Sequence, residues 1–313
     1  KDRMELIDVL GYTRTEKRSI AEKFLVPKQL RENGLTAEQV IFPREGLETI
    51  IDHYTREAGV RSLEREISAV CRDVTVRFAE KRLTELVKVT PDVVRELLGP
   101  EKVRPELAER KLTPGVALGL GASGGGGELL IVEATRMPGK GEIFITGNMR
   151  AVMKESAATA VSFVRSRAER LRLDPEWLRT IDLHLHVPRA AAVRDAAGTG
   201  LAMFVAVTSL LLGVSVRPDV AVTGELTLRG SILPVTHLKE QILAAHRAGI
   251  RTVLIPARNQ RDFADVPEEV KNDIEVHLVS RLDEILPLVL AAPTENESGD
   301  RDTDAGSSDE VSP

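Results

Sequence analysis

The residues best placed for chemistry lie at a turn of small side chains, residues 196–200, which opens into an apolar segment ending near Gly213. A helix that begins at such a turn presents unpaired backbone N–H groups, and these stabilise a carboxylate, a phosphate or an oxyanion. No Ser, Cys or Asp stands at the tip of the turn. The sequence therefore predicts a helix N-terminus that is suited to chemistry but lacks an obvious nucleophile.

Two histidines have a spacing that a metal site can use. His184 and His186 share one face of a predicted strand, and Asp182 lies in phase with them. Zinc sites normally draw on further ligands such as cysteine, and no cysteine is near. Ordinary strand residues are the better interpretation, so we predict no metal site.

Two glycine-rich strings are candidates for phosphate binding. Residues 119–124 match G-x-G-x-x-G but lead into an apolar strand at residues 128–133, where the dinucleotide motif requires a helix. Residues 137–142 fail the spacing of a P-loop and lack a hydroxyl after Lys140. We predict a flexible loop at residues 119–124 and no P-loop in this chain.

Composition indicates a globular chain with two domains. The 313 residues are 42% hydrophobic and 29% charged, and roughly 100–200 residues per domain is usual. The single Cys71 excludes an internal disulfide and fits a reducing cytosol, and its apolar neighbours predict a buried, inert thiol. The longest apolar run, residues 201–214, is too short to span a bilayer.

Negative charge is concentrated at the C-terminus. Residues 293–313 carry seven acidic side chains and one basic one, so this tail has a net charge of −6 while the whole chain has −5. The tail has almost no apolar residues, which predicts disorder. The rest of the chain is close to neutral and has no basic patch typical of a nucleic-acid-binding protein.

Residues 1–100 have the patterns of a small, mainly helical domain. Thr13 and Glu16 have the spacing of a capping box, Pro43 precedes a second helix, and a third helix is predicted from Arg61 to about residue 81. A short strand at residues 86–90 and a helix capped by Asp92 follow. Residues 101–114 are polar with two prolines and predict a linker, and residues 115–292 alternate strands and helices, which predicts an α/β or α+β domain.

The string at residues 54–67, YTREAGVRSLEREI, resembles the signature of the small helical lid of AAA+ modules in the Lon protease family. The resemblance implies that Arg61 is a sensor-2 residue that reaches nucleotide phosphates, because a guanidinium stays charged and binds two oxygens. It also implies that Tyr54 lies near the base. ATP and Mg would then bind the full-length protein, whose Walker motifs lie outside this chain. From the residues alone, Arg61 as a surface charge stays open.

Residues 112–290 resemble the Lon peptidase domain, most clearly over residues 132–168, 220–235 and 238–256. The resemblance implies an ATP-dependent endopeptidase with a Ser–Lys dyad, a ring of six subunits, unfolded protein substrates and a cytoplasmic location. Lys239 falls on the lysine that acts as general base, and Thr223 falls on the hydroxyl that orients it. Without the resemblance, Lys239 is more typical of an exposed helix lysine.

The expected nucleophile is missing from the matching position. The family's string K-D-G-P-S-A-G corresponds to residues 194–200, which places Gly198 at the serine and keeps only Asp195 and Gly200. An engineered change, a shifted nucleophile at Thr199 and natural loss of activity all explain this. A shift by one residue at a helix start turns the side chain by about 100°. Because several motif residues differ, we predict a proteolytically inactive protein; the alternative is an active endopeptidase that uses Thr199 with Lys239.

Two further departures lie beside the predicted dyad. Glycines at residues 121–127 replace a family segment that borders the substrate groove, which predicts a slack or remodelled cleft. Thr236 and His237 replace a pair of glycines just before Lys239. His237 is either a substitute partner for the base or an ordinary surface histidine.

Overall fold

The computed structural model describes residues 11–55, 57–80, 86–102, 112–123, 126–188 and 197–291, with the side chain of residue 197 excluded. Within these residues two separate hydrophobic cores form, one from residues 20–98 and one from residues 112–290. The first is mainly helical and the second surrounds a sheet of seven strands. The predicted fold class, a small helical domain followed by an α/β domain, is confirmed.

The helical domain combines a layer of helices with one short parallel strand pair. A π-helical turn, Ala21–Leu25, joins the first two helices into one continuous segment. The elements in chain order are α1 (Arg14–Ile20), α2 (Val26–Glu32), β1 (Val40–Ile41), α3 (Arg44–Tyr54), α4 (Arg61–Ala79), β2 (Val87–Lys88) and α5 (Pro91–Leu98).

Local sequence signals explain most of these boundaries. The predicted capping box is present, because the Thr13 hydroxyl accepts from the N–H of Glu16 and the Glu16 carboxylate accepts from the N–H of Thr13. The prediction that Asp92 caps the last helix is wrong: the N-cap is Thr90, and Asp92 lies in the first turn. Proline is favoured at the first position of a helix, so Pro91 moves the start of α5 forward.

The buried face of α4 includes Cys71, as its apolar neighbours predict. The Cys71 side chain has no solvent exposure, and burial raises the pKa of its thiol to about 12. A thiol with such a pKa stays protonated at neutral pH and is a poor nucleophile. The predicted burial of the thiol is confirmed, and its lack of reactivity stays a prediction.

The second domain is built on a mixed sheet with strand order β11-β10-β7-β3-β4-β6-β5. The pairs β3–β4 and β4–β6 are antiparallel, and the other neighbours are parallel. The strands are β3 (Val116–Ser123), β4 (Gly126–Pro138), β5 (Ile143–Thr146), β6 (Ile181–His186), β7 (Val220–Val222), β10 (Thr252–Pro256) and β11 (Glu275–Val279), with a separate hairpin of β8 (Glu225–Leu226) and β9 (Ile232–Leu233). The helices are α6 (Ala151–Ser166), α7 (Gly200–Leu212), α8 (Leu238–Arg247), α9 (Gln260–Ala264), α10 (Glu268–Asp273) and α11 (Leu286–Val289).

Helix α7 lies in the centre of this domain. Nearly all of its side chains are buried, and it packs against α6 on one side and against β3 and β4 on the other. Gly119 permits this contact, because a Cβ there would come within 2.8 Å of the Ala202 side chain. An apolar helix without a polar face is typical of such a fully enclosed position.

The predicted flexible loop at residues 119–124 is wrong for its described part. Residues 119–123 belong to β3 and are paired with β4, and Ser123 lies opposite Gly126. Glycine normally weakens a strand, but here it allows a helix to approach the sheet closely. As predicted, these residues lead into a strand and not into a helix.

Several predictions fall outside the described residues. They concern Asp195, the acidic tail at residues 293–313 and most of the predicted linker at residues 101–114. At the start of that linker the N–H of Lys102 donates to the carbonyl of His53 over 2.9 Å. Among the described helices, none is both long enough and apolar enough to cross a membrane.

Candidate functional site

The start of α7 is attached to the loop that follows β7. A short 3-10 turn, Ala197–Thr199, precedes the helix. The N–H of Gly224 donates to the carbonyl of Gly198 over 2.9 Å, and the N–H of Leu201 donates to the carbonyl of Gly224 over 3.1 Å. These two bonds bring the backbone of Gly198 next to Thr223.

Position 198 has no room for a side chain in this arrangement. A Cβ built on Gly198 would collide with the hydroxyl oxygen of Thr223. The next nearest atoms are a methyl group of Val235 at 3.1 Å and the carbonyl oxygen of Leu120 at 3.5 Å. The structure therefore joins two of the predicted site residues, Gly198 and Thr223, and fills the space between them.

The partner of the Thr223 hydroxyl is Gln241, a residue that the sequence did not single out. The hydroxyl donates to the amide oxygen of Gln241 over 2.7 Å, and the amide nitrogen of Gln241 donates to the carbonyl of Thr236 over 3.0 Å. Thr223 is 0% exposed and Gln241 is 1% exposed. One signal was present: Gln241 is a polar residue at helical spacing with Leu238 and Ala245 on an apolar face.

Lys239 stands on the same helix but is not joined to Thr223. It is half-buried, and none of the described residues forms a hydrogen bond or an ion pair with its ammonium group. Residues two apart on a helix do not face each other, and Gln241 occupies the face of α8 that meets Thr223. The predicted contact between the lysine and its orienting hydroxyl is therefore replaced by the pair of Thr223 and Gln241.

Thr199, the alternative nucleophile, is the residue immediately before α7. Its side chain is 0% exposed. A peptide carbonyl must come within about 3–3.5 Å of a nucleophile to react, so substrate would reach Thr199 only after local opening. Asp195, the other residue kept from the family's string, lies outside the described residues.

The two departures beside the dyad have different structural roles. His237 is exposed, has a left-handed backbone with φ of 55°, and its Nδ1 lies 2.9 Å from the hydroxyl of Thr236. The glycine-rich ends of β3 and β4 are closely packed, and not slack, where they are described. A Cβ on Gly127 would collide with the carbonyl oxygen of Glu240. A Cβ on Gly126 would lie 3.4 Å from the side chain of Ala58, so these ends lie between α8 and the helical domain.

The two predicted nucleotide-binding residues differ in exposure. Arg61 is the first residue of α4 and is exposed. Tyr54 is buried in the helical core, and its hydroxyl donates to the carbonyl of Gly99 over 2.6 Å. This geometry leaves the guanidinium of Arg61 accessible to a phosphate and gives Tyr54 a packing contact.

The two histidines of the candidate metal site share a hydrogen-bond partner, and Asp182 has different ones. The hydroxyl of Thr146 lies 2.9 Å from Nε2 of His184 and 2.7 Å from Nδ1 of His186. The carboxylate of Asp182 instead accepts from the backbone N–H groups of Glu142 and Lys140, at 2.7 and 2.8 Å, and these bonds lower its pKa. Within the described part of the chain, no group of three or more potential ligands converges.

Comparison with known proteins assigns a family to both domains of the chain. Residues 31–87 match the AAA+ ATPase lid domain of Lon protease, and residues 88–292 match the Lon protease (S16) C-terminal proteolytic domain. A helical lid followed by a proteolytic domain is the class that this fold and site define. The chain belongs to the Lon protease family.

Curated relatives match almost the whole chain. Lon protease 2 of Sorangium cellulosum (strain So ce56) is 60% identical over 292 residues, which cover 93% of this chain and 36% of the relative. Lon protease 2 of Myxococcus xanthus is 48% identical over 293 residues, covering 94% of this chain and 35% of the relative. Lon protease of Phenylobacterium zucineum (strain HLK1) is 50% identical over 286 residues, covering 91% and 36%. The chain thus spans about a third of the length of these relatives.

Proposed function

We propose that this chain is the lid and peptidase-fold part of an ATP-dependent Lon-family protein that has lost its peptidase activity. The observation that carries the proposal is Gly198, which stands beside Thr223 at the start of α7 and has no space for a side chain. A glycine offers no hydroxyl to attack a peptide carbonyl, and nucleophilic catalysis needs one next to a base. The lost serine of the dyad is assigned to this position.

The proposed role of the whole protein is assembly, substrate holding or ATP-driven unfolding. Residues 1–100 would form the lid, residues 101–114 the linker, residues 115–292 the peptidase-fold domain and residues 293–313 an acidic tail. ATP with Mg would bind the full-length protein, where Arg61 would contact phosphates and Tyr54 would lie near the base. Six copies would form a cytoplasmic ring that acts on unfolded proteins, as in the family.

The exposed guanidinium of Arg61 supports the nucleotide role, since a charged fork at a helix start is free to meet phosphate oxygens. The intact core around α7 supports a structural role for the second domain, because an apolar helix of this kind holds the sheet together regardless of chemistry.

A second candidate is an active endopeptidase in which Thr199 attacks and Lys239 takes its proton. Thr199 is favoured as the substitute because it is the next hydroxyl after position 198. Its complete burial is the main argument against it. Opening of the turn before α7 would have to accompany every catalytic cycle.

The test is degradation of casein by the full-length protein with ATP, together with its ATPase rate as proof that the sample is functional. We expect ATP hydrolysis without cleavage of casein. Cleavage that is abolished by Lys239→Ala would overturn the proposal. Cleavage that is also abolished by Thr199→Val, while ATP hydrolysis continues, would establish the second candidate.

A further inference from the structure

We propose that Gln241 is a positioning residue that holds the hydroxyl of Thr223 in the space where a nucleophile at position 198 would lie. The inactive site would then depend on two features, the glycine and the glutamine. This inference rests on the proposed loss of peptidase activity. It implies that restoring a serine at position 198 is not enough to restore a working dyad.

Backbone hydrogen bonds on both sides hold position 198 next to Thr223. Gly198 and Gly224 are joined by a hydrogen bond of 2.9 Å, and the N–H of Thr223 donates to the carbonyl of Leu254 in the neighbouring strand β10 over 3.0 Å. Both connections belong to buried backbone in the centre of the domain, where broken bonds are not replaced by water. Space for a side chain at position 198 must therefore come from rotation of the Thr223 side chain.

Gln241 opposes that rotation. Its amide is fixed at both ends, with the oxygen on the hydroxyl of Thr223 at 2.7 Å and the nitrogen on the carbonyl of Thr236 at 3.0 Å. The side chains of Thr223 and Gln241 are both buried. If Thr223 turned away, the amide oxygen would lose its donor at a place that water does not reach, which is unfavourable.

The same hydrogen bond takes Thr223 away from the lysine. In the dyad that the family resemblance implies, the hydroxyl of Thr223 orients Lys239. Here that hydroxyl donates its proton to Gln241, and no described residue holds the ammonium of Lys239. A serine placed at position 198 would meet a crowded site and a lysine without its orienting partner.

Replacement of Gln241 by methionine separates these effects. Methionine has a similar length but offers no strong acceptor, so Thr223 becomes free to rotate towards Lys239. In Gly198→Ser combined with Gln241→Met, Lys239 would act as the general base that takes the serine proton. The serine oxygen then bonds to the boron of a peptide boronate, which adds covalently without a leaving group.

The experiment uses the full-length protein with ATP and compares wild type, Gly198→Ser, Gln241→Met and the double variant. Adducts with a peptide boronate are measured by mass, and casein cleavage is measured in parallel. We expect no adduct in wild type or Gln241→Met, and at least about tenfold more adduct in the double variant than in Gly198→Ser. If Gln241 only stabilised the fold, its removal would not increase the reactivity of the serine with the boronate. Adding Lys239→Ala to the double variant should abolish the gain.

A thermal melt tests the same contact without any chemistry. Gly198→Ala should lower the melting temperature in the Gln241 background and lower it clearly less in the Gln241→Met background. Gly59→Ala is the matched control, because a Cβ there lies within 4 Å of no atom of the described residues, and its effect should be the same in both backgrounds.

The outcomes separate the two proposals. If Gly198→Ser reacts as well as the double variant, or if Gly198→Ala has equal effects in both backgrounds, the role of Gln241 is overturned while the proposed function stands. A double variant that folds but forms no adduct also overturns the role of Gln241. Cleavage by the wild-type protein that depends on Lys239 instead overturns the proposed function.

Discussion

The hydroxyl of Thr223 donates to the amide oxygen of Gln241 over 2.7 Å, beside Gly198 in the turn that precedes the central helix α7. This bond links the loop after β7 to the buried face of α8. It also gives the hydroxyl of Thr223 a partner other than Lys239, the residue to which the family resemblance assigns it. The hydroxyl of Thr223 thus occupies the space that a side chain at position 198 would need.

Replacement of Thr223 by valine should lower the free energy of unfolding by about 1–3 kcal/mol, because the buried amide oxygen of Gln241 would lose the hydroxyl that donates to it. The change preserves the shape of the side chain. Urea unfolding followed by the fluorescence of Trp177, the single tryptophan of the chain, reports on this domain.

Thr208 provides the matched control. It is also 0% exposed, but its hydroxyl has no hydrogen-bond partner among the described residues. Thr208→Val should therefore raise the free energy of unfolding by about 1 kcal/mol, since an unpaired hydroxyl is removed. Equal losses for both variants would contradict the assignment of the Thr223 bond.

Local patterns predicted much of the fold. The capping box at Thr13 and the apolar segment of α7 depend on residues close in sequence, so periodicity and spacing suffice. The glycine-rich residues 119–123 are a strand and not the predicted loop, because they pair with β4 and because α7 packs closely on Gly119, and neither contact is visible in the local sequence. Such tertiary packing overrides the low strand propensity of glycine.

The candidate site was predictable in its members but not in its contacts. Thr223 and Gly198 were identified through the family's motifs, and they do meet. The pair of Thr223 and Gln241 joins residues 18 positions apart, and the register between β7 and α8 that creates it is a property of the folded domain. A single buried glutamine on an apolar helix face was the only available signal.

Gly127→Ala should destabilise the protein by about 1–3 kcal/mol, because the new Cβ would collide with the backbone carbonyl of Glu240 and displace the first turn of α8. Circular dichroism during chemical denaturation measures the effect. Gly59→Ala adds the same atom where no part of the described chain lies within 4 Å, and it should change stability by less than about 0.5 kcal/mol. If the glycine-rich ends of β3 and β4 were loosely packed, the protein would instead tolerate both substitutions equally.

Arg61→Ala should weaken nucleotide binding by the full-length protein about tenfold or more, because charge-assisted hydrogen bonds to phosphate contribute about 1.5–3 kcal/mol. Titration with a fluorescent ATP analogue measures this. Arg65→Ala removes a similar exposed guanidinium one turn later on α4 and should leave the affinity unchanged. Equal losses for the two variants would indicate a general charge effect.

Tyr54→Phe should behave differently from Arg61→Ala. The carbonyl of Gly99 would lose the hydroxyl that donates to it over 2.6 Å, so the free energy of unfolding should fall by about 0.5–1.5 kcal/mol. Affinity for the ATP analogue should stay within twofold of wild type, about 0.4 kcal/mol, because the buried ring is kept. A selective loss of affinity would show that the hydroxyl of Tyr54 contacts the nucleotide and not only the carbonyl of Gly99.

Lys17 should make stability depend on pH in the alkaline range. The Lys17 side chain lies on α1 in a buried place, and its ammonium donates to the carbonyl of Glu57. Burial, the larger effect, and the charge of Arg247 on α8 together lower the pKa of Lys17 to about 8, while the charge of Glu57 opposes this shift. The unfolded chain therefore holds this proton more tightly than the folded one. The free energy of unfolding should therefore rise as the pH increases from about 8 to about 10.5, and the whole contribution of Lys17 should be present above that range.

Urea unfolding of wild type and Lys17→Met across this range measures the contribution, which the variant should lack. Lys28 is the matched control, because its exposed ammonium pairs with Glu64 and its pKa is raised. Lys28→Met should remove a contribution of the opposite sign, one that is present at neutral pH and lost as the pH rises. If wild type and Lys17→Met show the same slope between about pH 8 and about pH 10, Lys17 keeps an ordinary pKa in the folded protein.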